Sequence, residues 1–504
     1  MLRAAEIFQT GMILQREKSV RVWGSANPGS RLHLSIQAKQ ANTIADENGN
    51  WTAELPPLSA SNDETLMISD GQETLLFSDV AVGEVWIGAG QSNMEFWMRY
   101  EKHCAKEKER PSNPNIRFYD IPKIAYDGQK QQFDYSRVGR WRTATPEDIE
   151  YFSSVSYYFE RVLEAELNVP VGVIGCDWGG TTSSAWMSAE SAEQTGKPWV
   201  EDRKTKFAAV DMDDYWKNAG RNPNNDTGNP FEFDFNEFML PRTPSEEEIK
   251  DFFDKMDDSA AEFMGLPQPQ MIPGSLYEHM VKEAAPYTVR GVLWYQGESD
   301  EELGQQELYQ GMLTALISDW RKLWHEETLP FLIVQLPGFD SWFGCVNHGF
   351  HIIRQCQQNV VDADDNLYLC SISDAGEQFD IHPKNKMVVG ERLALLALGH
   401  IYGKQILCDA PRFAAVERNG GRIVLSFVNA DGGLVIKGDT VNALVVLEGE
   451  KELQVSAGVE GACLILELSE KCGAVQINFA KTAWYQVNLY NQSGVPAIPF
   501  SVVC

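Results

Sequence analysis

The chain has 504 residues, 43% of them hydrophobic with 14 tryptophans, and a formal net charge of −29 from 43 Lys+Arg against 72 Asp+Glu. That length exceeds the size at which single cores split, so roughly two to four domains are expected. A field of this sign repels nucleic acid and anionic membranes, which argues against both as partners, and it disfavours polyanionic substrates while leaving room for one carboxylate in a local basic pocket.

Residues 1–80 alternate apolar and polar positions over Ser19–Trp23, Leu32–Ile36, Trp51–Leu55 and Leu66–Ser69, with turn residues at Asn27-Pro-Gly, Glu47-Asn-Gly-Asn and Asp70-Gly between them. Short strands at this spacing predict an N-terminal β-sandwich. The apolar run from Val80 to Ile87 then reads as a buried strand, broken at Gly88 and Gly90. Thr145-Pro-Glu-Asp predicts a helix cap, with an apolar face through Ile149, Phe152, Val155, Phe159 and Val162 and a stop at Asn168 and Pro170. Strands are expected over Val171–Cys176, Val289–Tyr295, Phe331–Leu336 and Leu367–Ile372, and helices over Glu302–Trp324, Phe350–Val361 and Lys386–Tyr402. This alternation specifies an α/β domain over 81–404 with a mainly parallel sheet covered on both faces. Between about 190 and 273 the alternation fails, which points to an inserted lid or wall, partly helical. Its aromatics, Trp199, Tyr215, Trp216, Phe231, Phe233 and Phe235, suit either a small local core or stacking on sugar rings. From 405 to 504 β-type alternation returns, with Asn419-Gly-Gly and Asp431-Gly-Gly turns, as a second β-domain.

The nine cysteines show no CxxC pair and there is no HExxH, so zinc spacing is absent and no metal is expected. The first residues lack the apolar core of a signal peptide and no apolar stretch is long enough to span a bilayer, an expectation of a reducing, cytoplasmic setting. An assembly of identical copies leaves no trace in the sequence.

Four loops carry chemistry. Gly88-Ala-Gly90-Gln-Ser92-Asn93-Met-Glu95 puts a serine after a strand and a sharp glycine turn, the way an α/β fold presents a nucleophile. Cys176-Asp-Trp-Gly179-Gly180-Thr181 follows the next strand, where a glycine can offer its N–H to a reacting atom; a plain tight turn is the competing reading. Trp294-Tyr-Gln296-Gly-Glu298 ends another strand with an amide and a carboxylate, either an oxyanion donor with its orienting partner or a polar helix cap. Asp374-Ala-Gly-Glu377-Gln-Phe-Asp380-Ile-His382 follows the last strand and supplies an imidazole with acids close in sequence, suited to general-base work, with surface placement or metal binding as alternatives.

This order of serine, glycine loop, amide loop and Asp/His resembles the SGNH hydrolase superfamily, and more narrowly the sialate O-acetylesterase family of carbohydrate esterases. The resemblance extends through Met12-Ile-Leu-Gln15-Arg16, Val82-Gly-Glu-Val-Trp86, Trp186, Ser299, Ile381-His-Pro383 with Lys386, Arg392-Leu-Ala394, Asn488-Leu-Tyr-Asn491 and Pro499-Phe500. It implies an SGNH-type three-layer domain flanked by N- and C-terminal β-sandwich domains. By the same resemblance Ser92 is the nucleophile, His382 the base and Asp380 the third member. Hydrolysis by such a serine nucleophile needs no organic cofactor. The N–H groups of Ser92 and Gly180 with Gln296 form the oxyanion hole, and Glu298 and Asn93 lend support. The superfamily places its acid three residues before the histidine, a position held here by Phe379, so Asp374, Glu377 or Glu298, or a Ser–His dyad, are alternatives to Asp380. The implied substrate is an acetylated mono- or oligosaccharide, either acetylated xylo- or manno-oligosaccharides or O-acetyl sialic acid, whose carboxylate would want Arg99 or Arg203. The competing readings are a non-catalytic carbohydrate-binding protein and a thioesterase or lipase-like esterase of the same superfamily.

Overall fold

A computed structural model describes residues 1–132, 134–208, 210–211, 215, 245, 247, 250, 268–302, 304–342, 345–469 and 472–504. It is a mixed α/β protein with several sheets, and it divides into two compact units, Met1–Gln296 with Gly311–Phe331 and Gly297–Gln310 with Leu332–Cys504. Among the described residues no helix is long and apolar enough to cross a membrane.

The first unit is organised by one strand, Thr74–Gly90. Its first residues pair antiparallel with Ser61–Ser69. Its middle pairs parallel with Ile13–Gln15, and its end runs parallel between Val171–Asp177 and Gly291–Tyr295. Asn113–Asp120 extends the sheet parallel to Val171–Asp177, and Trp141–Ala144 closes that edge antiparallel. The run Val80–Ala89 is buried on both faces, as its unbroken apolar character requires of a central parallel strand. Removing each large apolar side chain of this kind from water contributes roughly 1.5–3 kcal/mol.

Two of the flanking segments that carry the resemblance, residues 12–16 and 82–86, have a structural role. Glu84, fully buried, accepts from Arg16 Nε at 2.6 Å, Arg290 Nε at 2.8 Å and Gln15 Nε2 at 3.0 Å. Burial pushes its carboxyl up, but the two guanidiniums hold it below the usual range.

Two helices differ from expectation. The helix predicted from Thr145 begins at Ser154 and ends at Leu167, with Asn168 in the left-handed conformation closing it. Thr145 instead precedes a short 3-10 turn, Asp148–Tyr151, and its hydroxyl accepts the Asp148 N–H at 3.0 Å. The break arises because Ser153 bridges Trp97 in extended conformation and then caps the helix through its hydroxyl. The helix expected over Glu302–Trp324 is likewise divided into Glu298–Glu302, a 3-10 turn at Gln306–Leu308 and Tyr309–Trp324. Gly304, at φ +69°, supplies the left-handed residue at that break. Of the expected insertion, Ala189–Thr195 and Lys197–Ala208 are helices, while Trp216, Phe231, Phe233 and Phe235 lie outside the described residues.

In the second unit, which takes up the strand Phe331–Val334 from Leu332 onward, that strand neighbours Leu367–Cys370, and the helices Phe350–Asp362 and Met387–Leu396 follow those strands. Beyond them the chain forms a four-stranded antiparallel sheet built on the hairpin Arg412–Asn419/Arg422–Val428 and a second sheet centred on Leu444–Glu448 and Gln476–Phe479. The two share a core that includes Leu425, Leu464, Ile477, Phe479 and Leu489.

Candidate active site

The serine loop is dictated by close packing. At Gly90 φ is +140°, and a Cβ there would stand 2.0 Å from the Tyr295 carbonyl oxygen, so only glycine fits. The Gln91 N–H donates to that same carbonyl at 3.1 Å. The chain then turns into the short helix Ser92–Glu95, whose Met94 and Glu95 N–H groups donate to the Gln91 carbonyl at 2.8 and 3.0 Å. Ser92, half-buried, is the first helical residue, and Asn93 beside it is buried.

The glycine loop comes directly against this turn. The Trp178 N–H donates to the Gly90 carbonyl at 3.1 Å, and a Cβ on Gly179 would lie 3.2 Å from the Ser92 Cβ. The Gly179 N–H is occupied by Glu95 Oε2 at 2.6 Å, whereas Gly180, exposed at φ +71°, shows no protein partner for its N–H among the described residues. Thr181 holds the turn by donating to the Trp178 carbonyl at 2.7 Å and accepting from Trp186 Nε1 at 2.9 Å. Trp186 in turn packs edge-on to Trp294, and its carbonyl accepts from Trp320 Nε1 at 2.8 Å. The tryptophans of these motifs therefore anchor the loop.

The amide loop completes the cluster. Gln296 is fully buried, and its Nε2 donates to Gln91 Oε1 at 3.2 Å and to the Thr181 carbonyl at 3.1 Å. Ser92, Gly180 and Gln296 thus sit on three loops tied directly to one another within the first unit.

The two arginines singled out for a substrate carboxylate divide. Arg203 is buried, lies over the Trp199 ring at 4.0 Å and pairs with Asp202 at 2.8 Å, which commits it to the local fold. Arg99 lies over Tyr100 at 5.2 Å. Trp199 is also committed, donating Nε1 to Ser184 Oγ at 2.7 Å from a buried position, and Tyr215 is buried too. Both rings belong to a local core and are closed to sugar stacking.

The histidine loop belongs to the second unit. Asp374 pairs with Arg392 through both oxygens at 2.6 and 2.8 Å and accepts from the Tyr490 hydroxyl at 3.1 Å. Glu377 accepts the Lys384 N–H at 3.1 Å. Asp380, only 1% exposed, accepts the His382 main-chain N–H at 2.8 Å through Oδ1 and meets Lys384 Nζ at 2.7 Å through Oδ2. Its Oδ1 stands 4.0 Å from His382 Nδ1, beyond direct hydrogen bonding. Burial raises the Asp380 carboxyl above its ordinary value despite Lys384. Phe379, at the superfamily's acid position, is 55% exposed.

His382 is 6% exposed, and the Trp342 ring stands edge-on to it with centroids 5.2 Å apart. Burial, reinforced by Lys384 and Lys386, holds its pKa well below 6.5, so the imidazole is neutral at pH 7. Lys386 is itself fully buried; burial and Lys384 pull its pKa down to about 7, against the opposing pull of Glu298, Asp380 and Glu377. Glu298 is buried at the start of its short helix, after Gly297 at φ +145°. Trp342, distant in the chain, carries no sequence signal that marks it as a neighbour of the imidazole.

Folding also gathers His400, Cys408 and Asp409, with ligand atoms all within 4.8 Å of one another, a grouping that sequence spacing does not reveal. His400 Nε2 meets both Asp409 oxygens at 2.9 and 3.0 Å, and this pairing lifts the His400 pKa to about 10 against the effect of burial.

Comparison with known proteins places these motifs in context. A family model for a carbohydrate esterase, the sialic acid-specific acetylesterase, matches residues 262–398. The chain is 24% identical to the sialate O-acetylesterase of Mus musculus over 99% of its own length and 94% of that protein's. It is 25% identical to that of Homo sapiens over 80% of this chain and 72% of the other. A solved carbohydrate acetylesterase from Xanthomonas citri superposes with a TM-score of 0.76 at 25% identity, covering 99% of each chain.

Proposed function

Because the chain belongs to the sialate O-acetylesterase family of carbohydrate esterases, and is a carboxylic-ester hydrolase acting on O-acetylated carbohydrate, we propose that Ser92 is its nucleophile. The observation that carries this reading is the direct linkage of the Ser92 turn, the Gly179-Gly180 loop and Gln296 within one unit.

His382, neutral at pH 7, takes the Ser92 hydroxyl proton as the oxygen attacks the acetyl carbonyl. The Ser92–carbonyl bond forms and a tetrahedral oxyanion develops, held by the Ser92 and Gly180 N–H groups and by Gln296. Gln296 reaches the oxyanion by exchanging one of the two hydrogen bonds it makes to Gln91 and Thr181. The imidazolium returns its proton to the sugar oxygen, the ester C–O bond breaks, and the deacetylated sugar leaves. Water, deprotonated by the same imidazole, then cleaves the acetyl-serine and releases acetate. Asp380 serves as a positioning residue, fixing the main chain at His382 and balancing Lys384 beside it.

We read the parallel strands around Thr74–Gly90 as the central layer of an SGNH-type domain with β-rich flanks. The commitment of Arg203 to Trp199 and Asp202 favours neutral acetylated oligosaccharides over sialate. Acetate release from acetylated xylo-oligosaccharides and from 9-O-acetylated sialic acid, measured side by side, tests the preference; faster turnover of the sialate reverses it. Ser92→Ala is expected to lose about a thousand-fold or more in acetate release with the fold retained. Near-normal turnover by that variant overturns the assignment.

A further inference from the structure

The second unit carries a cationic cavity that the esterase reaction does not use. A space of about 180 Å³ opens between the helix Phe350–Asp362 and the strand Phe500–Val503, lined among others by His351, Arg354, Arg412 and Lys481. It is several times the share of liquid volume of one water molecule, about 30 Å³. Arg412 on its wall is neutralised by both oxygens of Asp362.

The other three cationic or ionisable groups are not neutralised. Arg354 is only 2% exposed, and its guanidinium donates to the carbonyls of Pro337 at 3.0 Å and Thr482 at 3.3 Å while Tyr485 covers one face. Among the described residues no carboxylate pairs with Arg354 or with Lys481, whose Nζ makes only a long contact of 3.5 Å to Gln355 Oε1. Burying a guanidinium without a counter-charge is costly. Burial lowers the pKa of Arg354, and burial together with Arg354 lowers that of Lys481. For His351, burial, Arg354 and Lys481 do the same, against weaker opposition from Glu307 and Glu301. Such a concentration of positive potential stands out in a chain of net charge −29.

We propose that this cavity binds a tetrahedral dianion, free phosphate or the phosphoryl group of a sugar phosphate, between Arg354, Lys481 and His351. Arg354 supplies the buried, pre-positioned fork, Lys481 a mobile ammonium, and His351 a ring that takes up a proton as the anion enters. Two negative charges match the two permanent cations better than a carboxylate does.

The test is isothermal titration of the full chain with inorganic phosphate and, separately, glucose 6-phosphate at pH 7, with chloride holding ionic strength constant. A saturable one-site isotherm is expected, with a matching rise of Tm in phosphate. Lys481→Gln combined with His351→Gln, neither of which is a hydrogen-bond partner of Arg354, is expected to weaken binding at least ten-fold. Tighter binding of glucose 6-phosphate identifies the phosphoryl sugar as ligand, and equal or weaker binding identifies free phosphate. Absence of a saturable signal, or equal affinity in the double variant, overturns the proposal.

Discussion

Asp380 is joined to His382 through the main chain and not through the ring: Oδ1 accepts the His382 N–H at 2.8 Å and stands 4.0 Å from Nδ1. Its other oxygen meets Lys384 Nζ at 2.7 Å. In Asp380→Asn the acceptor for the main-chain N–H is retained, but a buried ammonium loses its counter-charge. Breaking a buried pair in this way costs about 3 kcal/mol. The variant is therefore expected to show a lowered Tm and a moderate fall in kcat. A loss of kcat as large as that of His382→Ala, with unchanged Tm, would instead make Asp380 the direct partner of the ring.

The pH profile follows from the environment of the imidazole. A base must be neutral to act, and His382, proposed as that base, has its pKa pushed well below 6.5 by burial, Lys384 and Lys386. The acid limb of kcat/KM is expected to lie below pH 6.5, with no gain between pH 6.5 and 8. Folding stability carries the same sign: below pH 6.5 the unfolded chain binds the proton that the folded chain refuses, so this histidine's contribution is lost as pH falls from 6.5 towards its folded value.

Lys386→Met removes one of the two ammonium groups that repel a proton at His382. The acid limb is expected to move to higher pH in that variant. An unchanged limb means that Lys386 exerts no field on the imidazole.

Gln296→Ala deletes the side-chain donor assigned to the oxyanion. A loss of about 3 kcal/mol in transition-state stabilisation corresponds to roughly a hundred-fold in kcat. KM should change little, because the interaction strengthens as charge develops. A rise in KM at constant kcat assigns Gln296 to ground-state binding.

Gly90→Ala tests the turn itself. With φ at +140° and a carbonyl oxygen 2.0 Å from the added Cβ, the strand must move away from Tyr295. A destabilisation of about 3 kcal/mol is expected, together with loss of acetate release. Thermal unfolding at wild-type Tm contradicts this packing.

Much of this architecture is written locally. Unbroken apolar runs specify buried strands at Val80–Ile87 and Val171–Cys176; the second is found as Val171–Asp177, whereas the first is the buried part of a longer strand that starts at Thr74 and ends at Gly90. Gly90 is legible because a turn that admits no Cβ tolerates no other residue. Helix starts were less legible. Thr145 reads as the cap, yet the helix is capped by Ser153, which Trp97, distant in sequence, bridges. The same limit applied to Trp199 and Arg203, whose partners Ser184 and the indole face decide between stacking on a ligand and forming a local core.

What sequence alone determined is therefore the order and character of the loops: a serine, two glycines, an amide and a histidine, each at the end of a predicted strand. Only tertiary structure decided how the acids were shared out, Asp374 to Arg392, Glu377 to the Lys384 main chain and Asp380 to Lys384 and the His382 N–H. The reason is physical. Strand and turn preferences depend on a few neighbouring residues, whereas the charge state of an imidazole depends on burial and on every charge within a few ångströms, and long-range packing sets both.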